Sequence, residues 1–284
     1  MRYKALLIML ILGVAGACLY LWLGKTGELS SFGLNAFTET LGILFTVLIV
    51  DQLITRQEQA RLRPFKAAAY EDVRLMTSRI VGFWTSVFKA SVPESSPNSV
   101  DELFSERSFE KMHRHLNMDA KPLVTPPRTW WEWIPENWAD HRNLAERILE
   151  RHNQVLDAEI YGCVHQIATE GINLTLIPSV RQSDTISGFP RPSNLRNWHY
   201  LPEGYCQAIV KLVTWCKTSA RELRSAGVNG ILDVGSEIGH WEANESPPSK
   251  LPDIVLLEQL AAVERHRAEH ERARKKDKPS DLPK

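Results

Sequence analysis

Two long apolar runs open the chain, and everything after them is a mixture of charged and apolar positions. From Ala5 to Leu23 the sequence reads ALLIMLILGVAGACLYLWL. That is roughly 19 residues without a charge, enough at about 1.5 Å per residue to cross a hydrocarbon core near 30 Å. After the short polar link KTGELSSFG a second run extends from Leu34 to Ile54, interrupted by Glu39, Asp51 and small polar residues. The pattern predicts two membrane spans, about 5–23 and 34–54. A cleaved signal peptide fits the first run poorly, because its apolar stretch is too long for an h-region.

Basic residues orient the pair. Arg2 and Lys4 precede the first span, while Arg56, Arg61, Arg63 and Lys66 follow the second; the link carries Lys25. The positive-inside rule then places both termini in the cytoplasm. In an antiparallel pair Asp51 comes level with Lys4 and Arg2, so an Asp51–Lys4 pairing is expected. Glu39 lies toward the opposite end, near Lys25 and Tyr20. Ionisable groups in a bilayer face a partner or a water-filled cavity. The twelve residues from Glu39 to Asp51 separate the two by roughly 18 Å along a helix, too far to share a proton. Gly13 with Ala17, and Gly42 with Thr46, have the small-xxx-small spacing that lets membrane helices approach closely. That spacing serves packing within the chain and between copies equally.

Beyond Ile54 the helical period continues through Val73, Met76, Ile80, Trp84 and Val87. Pro64 is expected to kink this helix or restart it. A short helix is expected around Val100–Leu116. A long one follows, with Pro135 in its first turn and Ala145, Leu149, Leu156, Ile160, Cys163 and Ile167 along one face; His152 shares that face as a hydrogen-bonded core residue. Residues 177–202, rich in Pro, Ser, Gly and Asn, read as a long loop. Its Arg181, Arg191 and Arg196 form a candidate anion-contacting cluster. A further helix from Glu203 to Ser225 carries Cys206, Val210, Val213, Cys216, Ala220 and Leu223 on one stripe and is stopped by Gly227. The last begins at Asp253 with Ile254, Leu257 and Ala261, then becomes wholly charged. The fold class is therefore all-α: a transmembrane hairpin over 1–54, a helical cytoplasmic bundle over 55–263 and a charged tail over 264–284.

Composition narrows function mainly by exclusion. Thirty-four basic residues balance thirty-four acidic ones, so there is no bulk attraction to nucleic acid. The four scattered cysteines, Cys18, Cys163, Cys206 and Cys216, lack CxxC spacing and suit a reducing compartment. There is no Walker loop, dinucleotide fingerprint or nucleophile elbow. His266 with His270, and His113 with His115, do not make an HExxH site. No catalytic residue, metal ligand or cofactor is assigned. The densest unusual composition is WWEWIPENW, where Trp130, Trp131, Trp133 and Trp138 are candidates for contact with a membrane surface or a partner.

Glu39, Gly42, Thr46, Val47 and Asp51, followed by Leu53 and Arg56, resemble the second span of a loose group of uncharacterised bacterial two-span membrane proteins with variable cytoplasmic bodies. The resemblance is confined to that span and implies topology, not an activity. The expected role is a scaffold, sensor or interaction module in the bacterial inner membrane. Its expected partners are the lipid bilayer, a cytoplasmic protein and further copies of itself. The alternative is an oligomeric channel, transporter or membrane-effector subunit using Glu39 and Asp51.

Overall fold

A computed structural model describes residues 2–24, 28–170, 176–194 and 203–276. Among these residues the protein is all-helical: α1 (Arg2–Gly24), α2 (Glu28–Ser91), α3 (Val100–Leu103), α4 (Glu106–His115), α5 (Trp130–His152), α6 (Ala158–Thr169), α7 (Ile177–Ser187), α8 (Glu203–Ser225) and α9 (Asp253–Lys276). One isolated bridge, Leu116 to Lys250, is the only extended pairing among them. The chain divides into two compact units, Met1–Pro64 and Phe65–Lys284.

In the first unit the residues that lose exposure fall on one stripe of each helix. On α1 they are Ile11, Ala15, Cys18 and Leu19, and on α2 they are Gly33, Ala36, Phe37, Thr40 and Leu44. The expected small pairs lie elsewhere: Gly13, Ala17, Gly42 and Thr46 are all exposed, and a Cβ added at either glycine would meet nothing within 4 Å. The buried small residues are Ala15 and Gly33 instead. Glu39 is exposed. The side chains of Lys4 and Asp51 lie outside the described residues, as does Lys25. One helix, within α2, is long and apolar enough to cross a membrane, and Ile11–Gly24 forms a shorter apolar helix.

Pro64 lies inside α2, which is assigned as one 64-residue helix rather than interrupted there. From Ala69 onward α2 becomes the central element of the second unit, with Tyr70, Val73, Met76, Ile80, Trp84 and Val87 wholly buried. Its neighbour α8 runs antiparallel to it. The Tyr70 ring is 6.2 Å from that of Trp215, and the Trp84 indole donates to the Tyr205 hydroxyl at 3.5 Å near the opposite end. Of the stripe expected on α8, Val213, Cys216, Ala220 and Leu223 are buried, whereas Cys206 and Val210 are half-exposed; Tyr205, Ile209 and Leu212 are fully buried beside it. Gly227, at φ 82°, follows the end of α8 as expected.

The long helix expected from Pro135 onward is two helices. Thr129 and Glu132 form a capping box that starts α5 at Trp130, before Pro135. Asn153–Asp157 then break the chain, the amides of Val155 and Leu156 turning back to the His152 carbonyl, before α6 begins. His152 is hydrogen-bonded, its Nε2 lying 2.9 Å from Asp72, but at the partly exposed edge of the body rather than in its core. The tryptophan cluster belongs to the first turns of α5. Trp130, Trp131 and Trp138 are buried and Trp133 is partly buried against the same core, so the expected surface cluster is largely turned into the body. A helix places residues four apart on one face, and that periodicity turns the rings inward.

After α8, residues 226–252 return along α2 as an extended strap. Gly235 N–H donates to Ser78 Oγ at 2.8 Å, Ser96 N–H to the Trp241 carbonyl at 3.2 Å, and Ser249 N–H to the Ala90 carbonyl at 2.8 Å. The Tyr70 hydroxyl donates to the Leu232 carbonyl. These bonds satisfy backbone groups that helices would otherwise pair internally. Because the core of this unit begins at Ala69, a fragment from Phe65 onward is expected to unfold cooperatively by circular dichroism. One beginning at Val73, lacking Ala69 and Tyr70, is expected to lose that cooperativity.

Candidate functional site

Residues 177–187 were expected to be loop, yet they form α7. Pro178 in its first turn suits a helix start, and Gly188 at φ 68° caps its end. That cap sets the path of the chain that carries Phe189 and Arg191. Arg181 and Arg191 are thereby brought to one cavity of about 280 Å3, lined also by Trp131, Asp184 and Phe189. Arg196 lies outside the described residues.

Each of the two cations is already paired. The Arg181 guanidinium sits 4.3 Å from the centre of the Trp131 ring and donates to Asp119 at 2.9 Å. Arg191 grips Asp184 through two hydrogen bonds, of 2.5 and 3.0 Å, and lies 5.1 Å from the Phe189 ring centre. Two guanidiniums against two carboxylates leave the site close to electrically neutral. A free anion would have to displace the bidentate Arg191–Asp184 pair.

Asp119 is the hub behind this cavity. It accepts hydrogen bonds from Trp131 Nε1 at 2.8 Å, from Arg181 and from the Ser193 hydroxyl. Gln259 of α9 donates to Ser193 Oγ at 3.2 Å and accepts from its amide at 2.9 Å. Partial burial alone would raise the carboxyl pKa, but the bonds from Ser193, Trp131 and Arg181 outweigh it and hold the group below the ordinary carboxylate value. The stability it confers is present above that ordinary value and is lost as pH falls through the lower folded one. Asp119→Ala is expected to cost about 1–2 kcal/mol, mostly through the unpaired indole and hydroxyl rather than the exposed Arg181 pair. A lowered urea midpoint, with faster hydrogen exchange in the first turn of α5, which carries Trp131, is the measurement that checks it.

A second concavity of about 610 Å3 lies between α8, α3 and the strap. Val100, Val210, Val213, Val234 and Ile238 contribute apolar surface, and Asp101, Lys217, Asp233 and Glu237 are among the polar groups, Asp233 being paired with Arg224 at 2.8 Å. It was not legible in the sequence, because α8 and the strap meet only through the fold of residues 226–252.

Cys216, fully buried, has its thiol pushed up to about 12 by burial, and burial also raises Cys163. The His266 and His270 rings stand 4.7 Å apart, next to Phe189. Among the described residues no group of three or more His, Cys, Asp or Glu gathers as a metal ion requires. On α9, Ile254, Leu257 and Ala261 are exposed, while Val255, Leu256, Gln259, Ala262, Val263 and His266 are half-buried.

No protein-family model, curated protein or solved structure matches this chain.

Proposed function

We propose that this protein is a membrane-anchored interaction module. A transmembrane hairpin with both termini in the cytoplasm holds a helical body that engages a protein partner at the inner membrane of a bacterial-type cell. The observation that carries the reading is the change of environment along α2. Only 6% of its most apolar 18-residue window is buried, whereas a few turns later Tyr70, Val73 and Met76 are fully enclosed. A soluble helix that left Ile43, Phe45, Ile49 and Leu53 facing water would forfeit the favourable burial of each; a bilayer restores it. The basic residues Arg56, Arg61 and Arg63 directly after this segment fit the cytoplasmic boundary. Within the body, the acid-rimmed groove between α8 and the strap supplies an apolar floor of the kind a partner segment uses.

The test is fractionation of cells producing the full chain with a C-terminal reporter. The protein is expected to stay in membranes through alkaline carbonate washing, and its body to be digested by protease added to inverted vesicles but not to intact spheroplasts. Carbonate release, or a body cleaved from the periplasmic side, sinks the proposal. The exposed Glu39 favours one second reading, an ion-conducting oligomer using Glu39 and Asp51. Flux that vanishes in Glu39→Gln and Asp51→Asn chains with normal insertion would support it.

A further inference from the structure

We infer that the outward face of the α2 apolar segment is the contact surface for a second copy of this chain, paired in parallel through Asn35 and Glu39. The inference rests on the membrane-anchoring reading above and adds the partner within the membrane.

At 100° per residue, Gly33, Ala36, Phe37, Thr40 and Leu44, the residues of α2 that lose exposure, form one stripe. Ile11, Ala15, Cys18 and Leu19 form the matching stripe of α1. These two stripes are the faces that lose exposure within the first unit. Asn35, Thr38, Glu39, Gly42 and Thr46 lie roughly diametrically opposite on α2, and all five are exposed. Thr40, on the inward stripe, donates to the Ala36 carbonyl at 2.7 Å, and between Asn35 and Thr46 the other polar positions are on the exposed side.

The hydroxyls on that side are already satisfied. Thr38 donates to the carbonyls of Leu34 and Asn35, at 3.1 and 2.8 Å, and Thr46 to that of Gly42 at 2.8 Å. The Asn35 amide and the Glu39 carboxyl have no side-chain hydrogen bond among the described residues. Ionisable groups within an apolar span turn toward a partner or a water-filled cavity. The face that loses exposure is the opposite one, so a helix packed there does not supply that partner. A second copy can. In a two-fold parallel pair, Asn35 of each chain donates to Glu39 of the other, so the same surface serves both sides, as an isologous interface requires. Gly42, one turn further along, presents no Cβ and lets the backbones close to the distance such bonds need.

The experiment uses the full chain in cell membranes with Cys18→Ala, adding one cysteine at a time and oxidising with copper–phenanthroline. A disulfide needs Cα atoms within about 7 Å, so interchain bridging at Thr46→Cys and Leu53→Cys is expected to exceed that at Leu44→Cys by about fivefold or more. Adding Asn35→Leu with Glu39→Leu is expected to abolish it, whereas Glu39→Gln, which can still accept from Asn35, retains it. Equal bridging at all three positions, or none while the chain resists carbonate washing, overturns the pairing and leaves the anchor standing. Release by carbonate overturns both. Bridging that survives the double leucine change removes Asn35 and Glu39 from the interface.

Discussion

Acidification from pH 7 to pH 4 is expected to destabilise the helical body by several kcal/mol, with most of the loss falling between pH 6.5 and pH 4. Two histidines drive it. Burial pushes the pKa of His113 from 6.5 down to about 4, and burial with a smaller contribution from the Arg79 charge does the same for His141. The unfolded chain takes up both protons near 6.5 and the folded one only near 4. Between those values the unfolded state binds more protons, and stability falls as pH falls. A shift of that size corresponds to on the order of 3 kcal/mol for each ring when fully expressed. His141 is the cleaner probe: it is 3% exposed, its Nδ1 has no hydrogen-bond partner, and its ring meets Phe83 edge-on at 5.7 Å. Replacement by Phe keeps the packing and removes the titration. Urea midpoints of the body should therefore drop steeply with pH in the parent and about half as steeply in His141→Phe; a midpoint unchanged from pH 7 to pH 4.5 would contradict the assignment.

Trp84→Ala is expected to cost about 3–5 kcal/mol, a large share of the stability of a domain this size. Trp84 is fully buried, 5.1 Å from the Phe83 ring centre and 4.8 Å from that of Phe109. Its removal leaves a void among rings that cannot collapse together without shifting α2 against α4 and α8. It also deprives the fully buried Tyr205 hydroxyl of its 3.5 Å donor. Trp84→Phe should recover much of the packing loss but not that bond. A cost under about 1 kcal/mol for the alanine change would mean that α2 is not the centre of the body.

How far the sequence could be read differs from element to element. The period of α2 over Val73–Val87 was legible because one face is buried along its whole length. The stop at Gly227 was legible because a left-handed residue strongly favours glycine. The start of α5 lies earlier than the first-turn signal of Pro135 indicates, because the capping box Thr129–Glu132 begins the helix at Trp130. α7 was missed because Pro178 and Gly188, read as loop composition, serve as its start and its cap. The cavity beside it follows from that helix: Arg181 and Arg191 stood out in the sequence, but Asp119, sixty-two residues before Arg181, did not.

By itself the sequence determined the helical class and the placement of the most apolar segments at the start of the chain, because periodicity and hydropathy are local properties of consecutive side chains. Only the tertiary structure decided which faces those helices present. It turned the indoles of WWEWIPENW into the core, left Gly13 and Gly42 outward, put Ala15 and Gly33 inward, and closed the ion pairs of Arg181 and Arg191. Facing is set by contacts between residues far apart along the chain, and a helical repeat alone leaves a stripe of small or aromatic residues free to meet its own chain, lipid or another copy.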